Sequence, residues 1–178
     1  MTVELSTFAK SLTAETAFTV LATAKQLQDA GKDVVELEIG DSPFDTSAPA
    51  KAAGIEAIEQ NHSHYCPSPG LPHFRDAAAR MVRDEFGVPD ERENVVVAPG
   101  AKVIEQFFCE AFLNPGDGVL VFSPYFPTYV PNIERRQGRV VFSALKQEDD
   151  FRPSLVDVEQ FVTQHDRARA IFLNSPHN

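Results

Sequence analysis

Short apolar runs alternate with helix-like segments throughout the second half of the chain, and this alternation constrains the fold most. The apolar runs predict four strands, at residues 95–98, 119–122, 139–143 and 170–173. Helices are predicted between them, at residues 101–113, 127–137 and 154–164. Continuous apolar strands joined by helices are typical of βαβ units, in which helices cover both faces of a parallel sheet. The sequence therefore predicts an α/β fold with three αβα layers around a mostly parallel sheet.

The first half of the chain has helical spacing with one interruption. Apolar residues recur at helical intervals from residue 14 to 30, and shorter helices are predicted at residues 49–60 and 72–86. Residues 34–39 alternate apolar and acidic side chains, as in a half-exposed strand. We expect a helical arm ahead of the sheet, with residues 1–45 as arm and small-domain segment and residues 46–178 as the first part of a large domain.

Composition excludes several classes of partner. The 178 residues are 43% hydrophobic and 24% charged, and their formal net charge is −10. Nucleic acids and anionic membrane surfaces require a basic face, so neither partner is expected. No run approaches the ~20 apolar residues of a spanning helix, and the first ten residues lack the apolar core of a secretory signal. Two cysteines are too few for a disulfide framework, so we predict a cytoplasmic protein with reduced thiols.

A glycine turn precedes the helix predicted at residues 101–113. Ligands of open α/β sheets bind at the carboxyl ends of strands, and Gly100 follows the predicted strand 95–98 there. The free amides of Ala101 and Lys102 at the helix start would favour an anion such as phosphate. An ordinary strand-to-helix turn is the alternative.

Two further segments follow predicted strands. Residues 123–129 contain Tyr125, Phe126 and Tyr129, which would either stack on a planar ligand or pack beneath the sheet. Residues 174–178 hold two asparagines, suited to a phenolic or carboxylate oxygen but equally ordinary in turns. Taken together, an anion site, aromatic rings and amides on one rim indicate a pocket for a flat phosphorylated cofactor.

Metal binding and thiol chemistry have weaker support. His62, His64 and Cys66 could ligate zinc, but no second cluster accompanies them, and solvated loop histidines explain them better. We therefore predict no metal site. Cys109 lies among phenylalanines in a predicted helix, which is typical of a buried, inert thiol.

Five segments resemble, in order, the amino-terminal part of the class I/II aminotransferases, in particular the aspartate-aminotransferase-like branch of these fold type I enzymes dependent on pyridoxal 5'-phosphate. They are Ile39-Gly40-Asp41-Ser42-Pro43-Phe44; Tyr65 with Gly70 and Phe74-Arg75; Gly100-Ala101-Lys102; Asn114-Pro115-Gly116-Asp117 with Ser123-Pro124-Tyr125-Phe126-Pro127-Thr128-Tyr129; and Asn174-Ser175-Pro176-His177-Asn178. The resemblance implies the fold type I transferase architecture, with an incomplete large domain.

The resemblance also implies how the cofactor is held. The turn at Gly100 and the backbone amides of Ala101 and Lys102 would bind its phosphate. Phe126 matches the aromatic residue that stacks on the pyridine ring, often tryptophan in the family, whereas this chain has no tryptophan. Asn178 matches the asparagine that contacts the phenolic oxygen of the cofactor and helps to seat the substrate carboxylate.

Three other residues match positions that concern the substrate or a second subunit. Tyr65 matches a tyrosine that reaches the cofactor phosphate of the neighbouring subunit, which implies a homodimer with shared active sites. Ile39 and Gly40 match a loop that closes over the substrate.

The family pattern continues past Asn178, and the match stops there. The lysine that forms the Schiff base is expected beyond Asn178, so no catalytic residue is predicted within the chain, and the chain alone is expected to be inactive. The last eight residues, 171–178, begin with an apolar run and the chain stops shortly after it, whereas chain ends are usually polar.

The implied function is the transfer of an amino group between an amino acid and a 2-oxo acid by a longer enzyme. A lyase or decarboxylase with the same fold and cofactor is the first alternative, because this fold hosts many chemistries. A non-catalytic fragment or binding module is the second.

Overall fold

The computed structural model describes residues 3–11 and 16–177, and the chain divides into two units, residues 1–64 and 65–178. The first unit contains α1 (Thr7–Ser11), α2 (Thr16–Asp29) and α3 (Ala48–Glu59). Gly31 follows α2 with a positive φ of 77°, and the backbone N–H of Lys32 returns to the carbonyl of Leu27. This C-terminal cap needs the left-handed conformation that glycine adopts without strain. The predicted N-terminal helical segment is confirmed.

The strand predicted at residues 34–39 is wrong. The segment has no assigned secondary structure, and Val35 and Leu37 on one side of the alternation are exposed. Alternating side chains describe the two faces a strand would have, but the strand exists only where a neighbour completes its hydrogen bonds. The three-stranded sheet described below does not include it.

The second unit contains a parallel sheet of three strands, β1 (Gly118–Ser123), β2 (Arg139–Ala144) and β3 (Ala168–Phe172). The strand order is β2-β1-β3, so β1 is central and pairs in parallel with both neighbours. Residues 118–122 of β1 are all buried. This agrees with the rule that central parallel strands are continuously apolar.

Four α-helices accompany the sheet. They are α4 (Pro72–Phe86), α5 (Ala101–Phe112), α6 (Tyr129–Arg135) and α7 (Leu155–Gln164), with short 3₁₀ turns at Arg92–Asn94 and Gln147–Asp149. Gly87 ends α4 with φ 67°, and the Ser154 side chain caps α7 by accepting the N–H of Asp157. Glycine after a helix and serine before one are the residue types that favour such caps. The helix predicted at residues 127–137 is shorter than expected.

The core lies on both faces of β1. Val119 and Val121 pack with Cys109 of α5 and Ile133 of α6, whereas Leu120 and Phe122 pack with Phe161 of α7. Alternate residues of a strand point to opposite faces, so one buried strand joins two helical layers. The predicted α/β class, parallel sheet and three layers are confirmed.

The strand predicted at residues 95–98 is wrong. These residues lie outside the sheet, and Val96 is exposed. The Val97 N–H donates to the Pro69 carbonyl at 2.9 Å. The Arg75 Nε donates to the Val95 carbonyl at 2.8 Å. The segment is therefore held by the loop before α4 and by α4 itself, and these two bonds do not involve a neighbouring strand.

Hydrogen bonds and an ion pair of Asp117 hold the start of β1 in place. Asp117, directly before β1, accepts the backbone N–H of Asn114 at 2.8 Å and the Nη2 and Nε of Arg167 at 2.7 and 3.1 Å. Asp117 is buried, and these bonds hold the pKa of its carboxyl below the ordinary value, the Asn114 amide being the larger cause. The start of β1 is thus joined to the start of β3.

Candidate cofactor site

The first part of the site is the N-terminus of α5. Gly100 occupies the N-cap with φ 86° and ψ 160°, a conformation restricted to glycine, and it provides no side-chain cap. Nothing lies within 4 Å of the point where a Cβ on Gly100 would stand. The first amides of a helix have no partner within it, and Ala101 and Lys102 are exposed. An anion can therefore approach these amides.

The second part is the aromatic segment, residues 123–129, which follows the carboxyl end of β1. Tyr125 and Tyr129 pack against the core, and Tyr129 meets Phe172 of β3 edge-on with ring centroids 5.1 Å apart. Phe126 is half-buried, and its ring meets Tyr129 edge-on at 5.8 Å. Packing against the core is therefore the correct interpretation for the two tyrosines, whereas stacking of Phe126 on a ligand stays a prediction.

The structure brings the two parts together. The Lys102 Nζ lies 5.5 Å from the centroid of the Phe126 ring, within cation–π range. The aromatic segment and the N-terminus of α5 are therefore neighbours at the carboxyl edge of β1. The motifs predicted that these two parts share one rim, although the strand expected to lead into Gly100 does not form.

A hydrogen bond also joins α5 to the aromatic segment. The Thr128 hydroxyl donates to the Glu105 Oε2. Burial, and secondly the negative charge of Glu105, raise the pKa of Tyr129 above its ordinary value. Glu105 lies one turn after Lys102, so both contacts start from the same face of the helix. Sequence reasoning missed this bond, because Thr128 lay inside a motif interpreted through its aromatic residues.

Arg75 was quoted in the resemblance without a role. It donates from Nε to the Val95 carbonyl and from Nη2 to the Arg92 carbonyl. Gly70, with φ 112°, lets Val97 approach so closely that a Cβ on the glycine would lie 2.8 Å from the valine side chain. These contacts position the segment that leads into Gly100. No spacing in the sequence relates Arg75 to Val95, because the contact forms only on folding.

Four other site residues were predicted, and the structure does not test their roles. Tyr65 lies in the second unit and is fully exposed. Ile39 and Gly40 lie in the first unit, in a loop without assigned secondary structure. Asn178 lies outside the described residues. Their roles stay predictions.

The cysteines and histidines do not form a metal cluster in the described part of the chain. Residues 3–11 and 16–177 contain no group of three or more His, Cys, Asp or Glu side chains arranged to hold a metal ion. His62, His64 and Cys66 are exposed. Cys109 is buried, and burial, with smaller effects of Glu105 and Glu110, raises the pKa of its thiol to about 11. The predicted burial of Cys109 is confirmed, and its inertness stays a prediction.

Among the described residues, no helix is both long and apolar enough to cross a bilayer.

The residues present fit a flat phosphorylated ring. An open glycine turn at the start of an exposed helix suits a phosphate, and an aromatic ring beside it suits stacking. The Lys102 ammonium adds positive charge next to both. The chemistry of these groups therefore agrees with pyridoxal phosphate, the cofactor predicted from the resemblance.

Comparisons with known proteins identify the family. Residues 32–178 match the family model "Aminotransferase class I and II". The chain is 39% identical over 160 residues to a "Probable aspartate/prephenate aminotransferase" of Aquifex aeolicus, covering 90% of this chain and 40% of that protein. It is 34% identical over 148 residues to an arginine–pyruvate transaminase of Pseudomonas aeruginosa, covering 83% of this chain and 37% of that protein.

A comparison with solved structures leads to the same family. The aspartate aminotransferase of Thermus thermophilus, determined with maleate, superimposes with a TM-score of 0.91 at 32% identity, covering 99% of this chain and 46% of that one. The chain spans less than half the length of the relatives it matches. Sequence and fold agree over nearly the whole chain, which therefore belongs to the class I and II aminotransferase family.

Proposed function

We propose that this chain forms part of the cofactor site of an enzyme that transfers an amino group between an amino acid and a 2-oxo acid. Aminotransferases of class I and II depend on pyridoxal phosphate. The observation that carries the proposal is the 5.5 Å approach of Lys102 to the Phe126 ring. It makes the open helix N-terminus and an aromatic ring neighbours, as a phosphorylated ring requires.

The residues of this chain would bind and orient the cofactor. Backbone amides of Ala101 and Lys102 donate to its phosphate at the Gly100 turn, and Phe126 stacks on its ring. Asn178 donates to its phenolic oxygen and helps to seat the substrate carboxylate. When bound, pyridoxal phosphate carries the amino group and withdraws electrons from the substrate carbon.

A second subunit and a closing loop belong to the same proposal. Tyr65 reaches the phosphate of a neighbouring subunit, and its full exposure supports this role because the side chain is available for contact. The complete enzyme is then a homodimer with shared sites. Ile39 and Gly40 close over the substrate.

The complete enzyme supplies what the 178 residues lack. The lysine that binds the cofactor covalently is expected beyond Asn178. We also propose that the boundary between the small-domain segment and the large domain falls after residue 45. We also place the enzyme in the cytoplasm, because Cys66 and Cys109 are both free thiols.

The test uses the full-length protein and the variants Phe126→Ala and Phe126→Trp. We expect the wild type to bind pyridoxal phosphate and to exchange an amino acid for its keto acid with 2-oxoglutarate. Phe126→Ala should weaken cofactor binding about tenfold, because one stacked ring is lost. Phe126→Trp should preserve cofactor binding.

Other products would identify the alternatives. Pyruvate and ammonia without keto-acid exchange would indicate a lyase, and carbon dioxide release would indicate a decarboxylase. Amino transfer by residues 1–178 alone would contradict the expected position of the lysine. A full-length protein that binds no pyridoxal phosphate would refute the proposal.

A further inference from the structure

The hydroxyl of Thr128 joins two elements. Thr128 is the N-cap residue of α6, but its backbone angles (φ −81°, ψ −14°) are already helical, whereas capping side chains usually belong to residues with an extended backbone. Its side chain makes no cap bond and donates to Glu105 of α5.

Glu105, which accepts this bond, lies in a partly buried environment. Its carboxylate is half-buried on α5 and also lies near Tyr129, whose pKa it helps to raise. The hydroxyl of Thr128 donates to this carboxylate, and a partly buried polar group is stabilised when it has a hydrogen-bond partner.

The bond lies next to the cofactor site. Lys102 contacts Phe126 from one turn of α5, and Glu105 binds Thr128 from the next turn. Phe126 and Thr128 are two residues apart in the aromatic segment, so two contacts from one helix face fix that segment. They set the spacing between the Phe126 ring and the amides at the start of α5.

We propose that Glu105 is a positioning residue of the cofactor site, acting through the Thr128 hydroxyl to hold the Phe126 ring at the spacing that a phosphorylated ring needs. The inference rests on the proposed function and adds a residue to that site. It separates two requirements, since an anion needs only the helix amides while a flat ring also needs Phe126 in place. Loss of the bond should therefore weaken ring binding and spare phosphate binding.

The experiment compares pyridoxal phosphate with inorganic phosphate on the full-length protein. Glu105→Ala and Thr128→Val each remove the bond from one side, and Thr128→Val keeps the side-chain shape. We expect each variant to weaken pyridoxal phosphate binding about tenfold and to change inorganic phosphate binding less than about threefold. The double variant should bind no more weakly than either single variant, because both remove one bond.

Ring orientation gives a readout independent of activity. The circular dichroism of bound pyridoxal phosphate depends on how the protein holds the ring, and we expect both variants to alter it. Thr128→Ser keeps a hydroxyl and Glu105→Gln keeps an acceptor oxygen, so both should retain the wild-type spectrum and most of the affinity.

The matched control is Glu110→Ala. Glu110 is on the same helix and also joins α5 to α6, through Arg135 at 3.3 Å, but at the far end from Gly100. The control should leave both affinities and the spectrum unchanged.

The inference is overturned if Glu105→Ala and Thr128→Val behave like Glu110→Ala. It is also overturned if they weaken inorganic phosphate as much as pyridoxal phosphate, since the bond would then only support α5. A wild type that binds phosphate but no pyridoxal phosphate would refute the proposed function itself, and the inference with it.

Discussion

Gly100 sets the direction of the first amides of α5 through its own backbone. With φ 86° and ψ 160° it occupies a region that costs other residues about 1–3 kcal/mol. Open space surrounds the position of a Cβ, so the cost of substitution is conformational and not a collision. Relief of that strain would turn the helix amides away from a bound phosphate.

We expect Gly100→Ala to weaken inorganic phosphate and pyridoxal phosphate together, each by about tenfold or more. Isothermal titration of both ligands on the full-length protein measures this. Gly54→Ala is the control, because Gly54 lies within α3 with nothing within 4 Å of its Cβ position. Unchanged phosphate affinity in Gly100→Ala would contradict the assignment of the anion to this turn.

The two cysteines should differ in reactivity. Only the thiolate reacts readily, and the pKa of the buried Cys109 thiol is raised to about 11, so it stays protonated at pH 8. We expect iodoacetamide at pH 8 to modify the exposed Cys66 and to spare Cys109 until denaturant is added. Peptide mass spectrometry distinguishes the two sites, and rapid native modification of Cys109 would argue against its burial.

At the scale of secondary-structure elements, Asp117 joins the beginnings of β1 and β3 through Arg167. Its folded-state pKa is below the ordinary value of 3.8. The stabilisation is therefore complete above pH ~4 and is lost as the pH falls through the lowered folded-state pKa.

We expect Asp117→Asn to lower the urea midpoint at pH 7, and its difference from wild type to shrink below pH ~4. Denaturation of both proteins from pH 7 to pH 3, followed by hydrogen exchange at β1, measures the effect. Asp149→Asn is the control, because Asp149 is exposed in a 3₁₀ turn. A constant difference across this pH range would exclude the carboxylate charge as its origin.

Elements were predictable where their own residues determine them. The buried run of β1 and the caps at Gly87 and Ser154 are visible in the sequence, and the structure contains them. The strands predicted at residues 34–39 and 95–98 were wrong because strand formation depends on a neighbour. Residues 95–98 are bound by Pro69 and Arg75, partners that no local pattern indicates.

The candidate site was likewise predictable only in part from the sequence. Phe126 follows β1, so the rule for the carboxyl edge of a parallel sheet applies to it. Gly100 and Lys102 were found from their motif, because the strand predicted before them does not form. The bond between Glu105 and Thr128 could not be predicted, since glutamate on a helix and threonine in a turn are ordinary by themselves. Their pairing depends on how α5 packs beside the aromatic segment.

At the scale of the whole molecule, the described residues leave many large apolar side chains exposed. Examples are Phe142 on β2, Leu155 and Val162 on α7, and Phe107 on α5. Large exposed apolar areas are typical of surfaces that other protein covers. In the described sheet, β2 and β3 are both edge strands, whose free backbone groups favour further pairing.

We expect residues 1–178, produced alone, to self-associate. The net charge of −10 opposes association by repulsion, so added salt should increase it. Light scattering against salt concentration tests this, with the full-length protein as the control that stays of fixed size. A monodisperse monomer at all salt concentrations would contradict the expectation.

The central position of β1 also affects the order of events during synthesis. Val119 pairs with Val140 on one side and with Ala170 on the other. The first partner leaves the ribosome about twenty residues after β1, and the second about fifty residues after it. Until β3 has been synthesised, the apolar strand β1, which is buried in the folded protein, has one unpaired edge on the nascent chain. This interval is when chaperones would have most to protect, because exposed strand edges of unfinished chains promote aggregation.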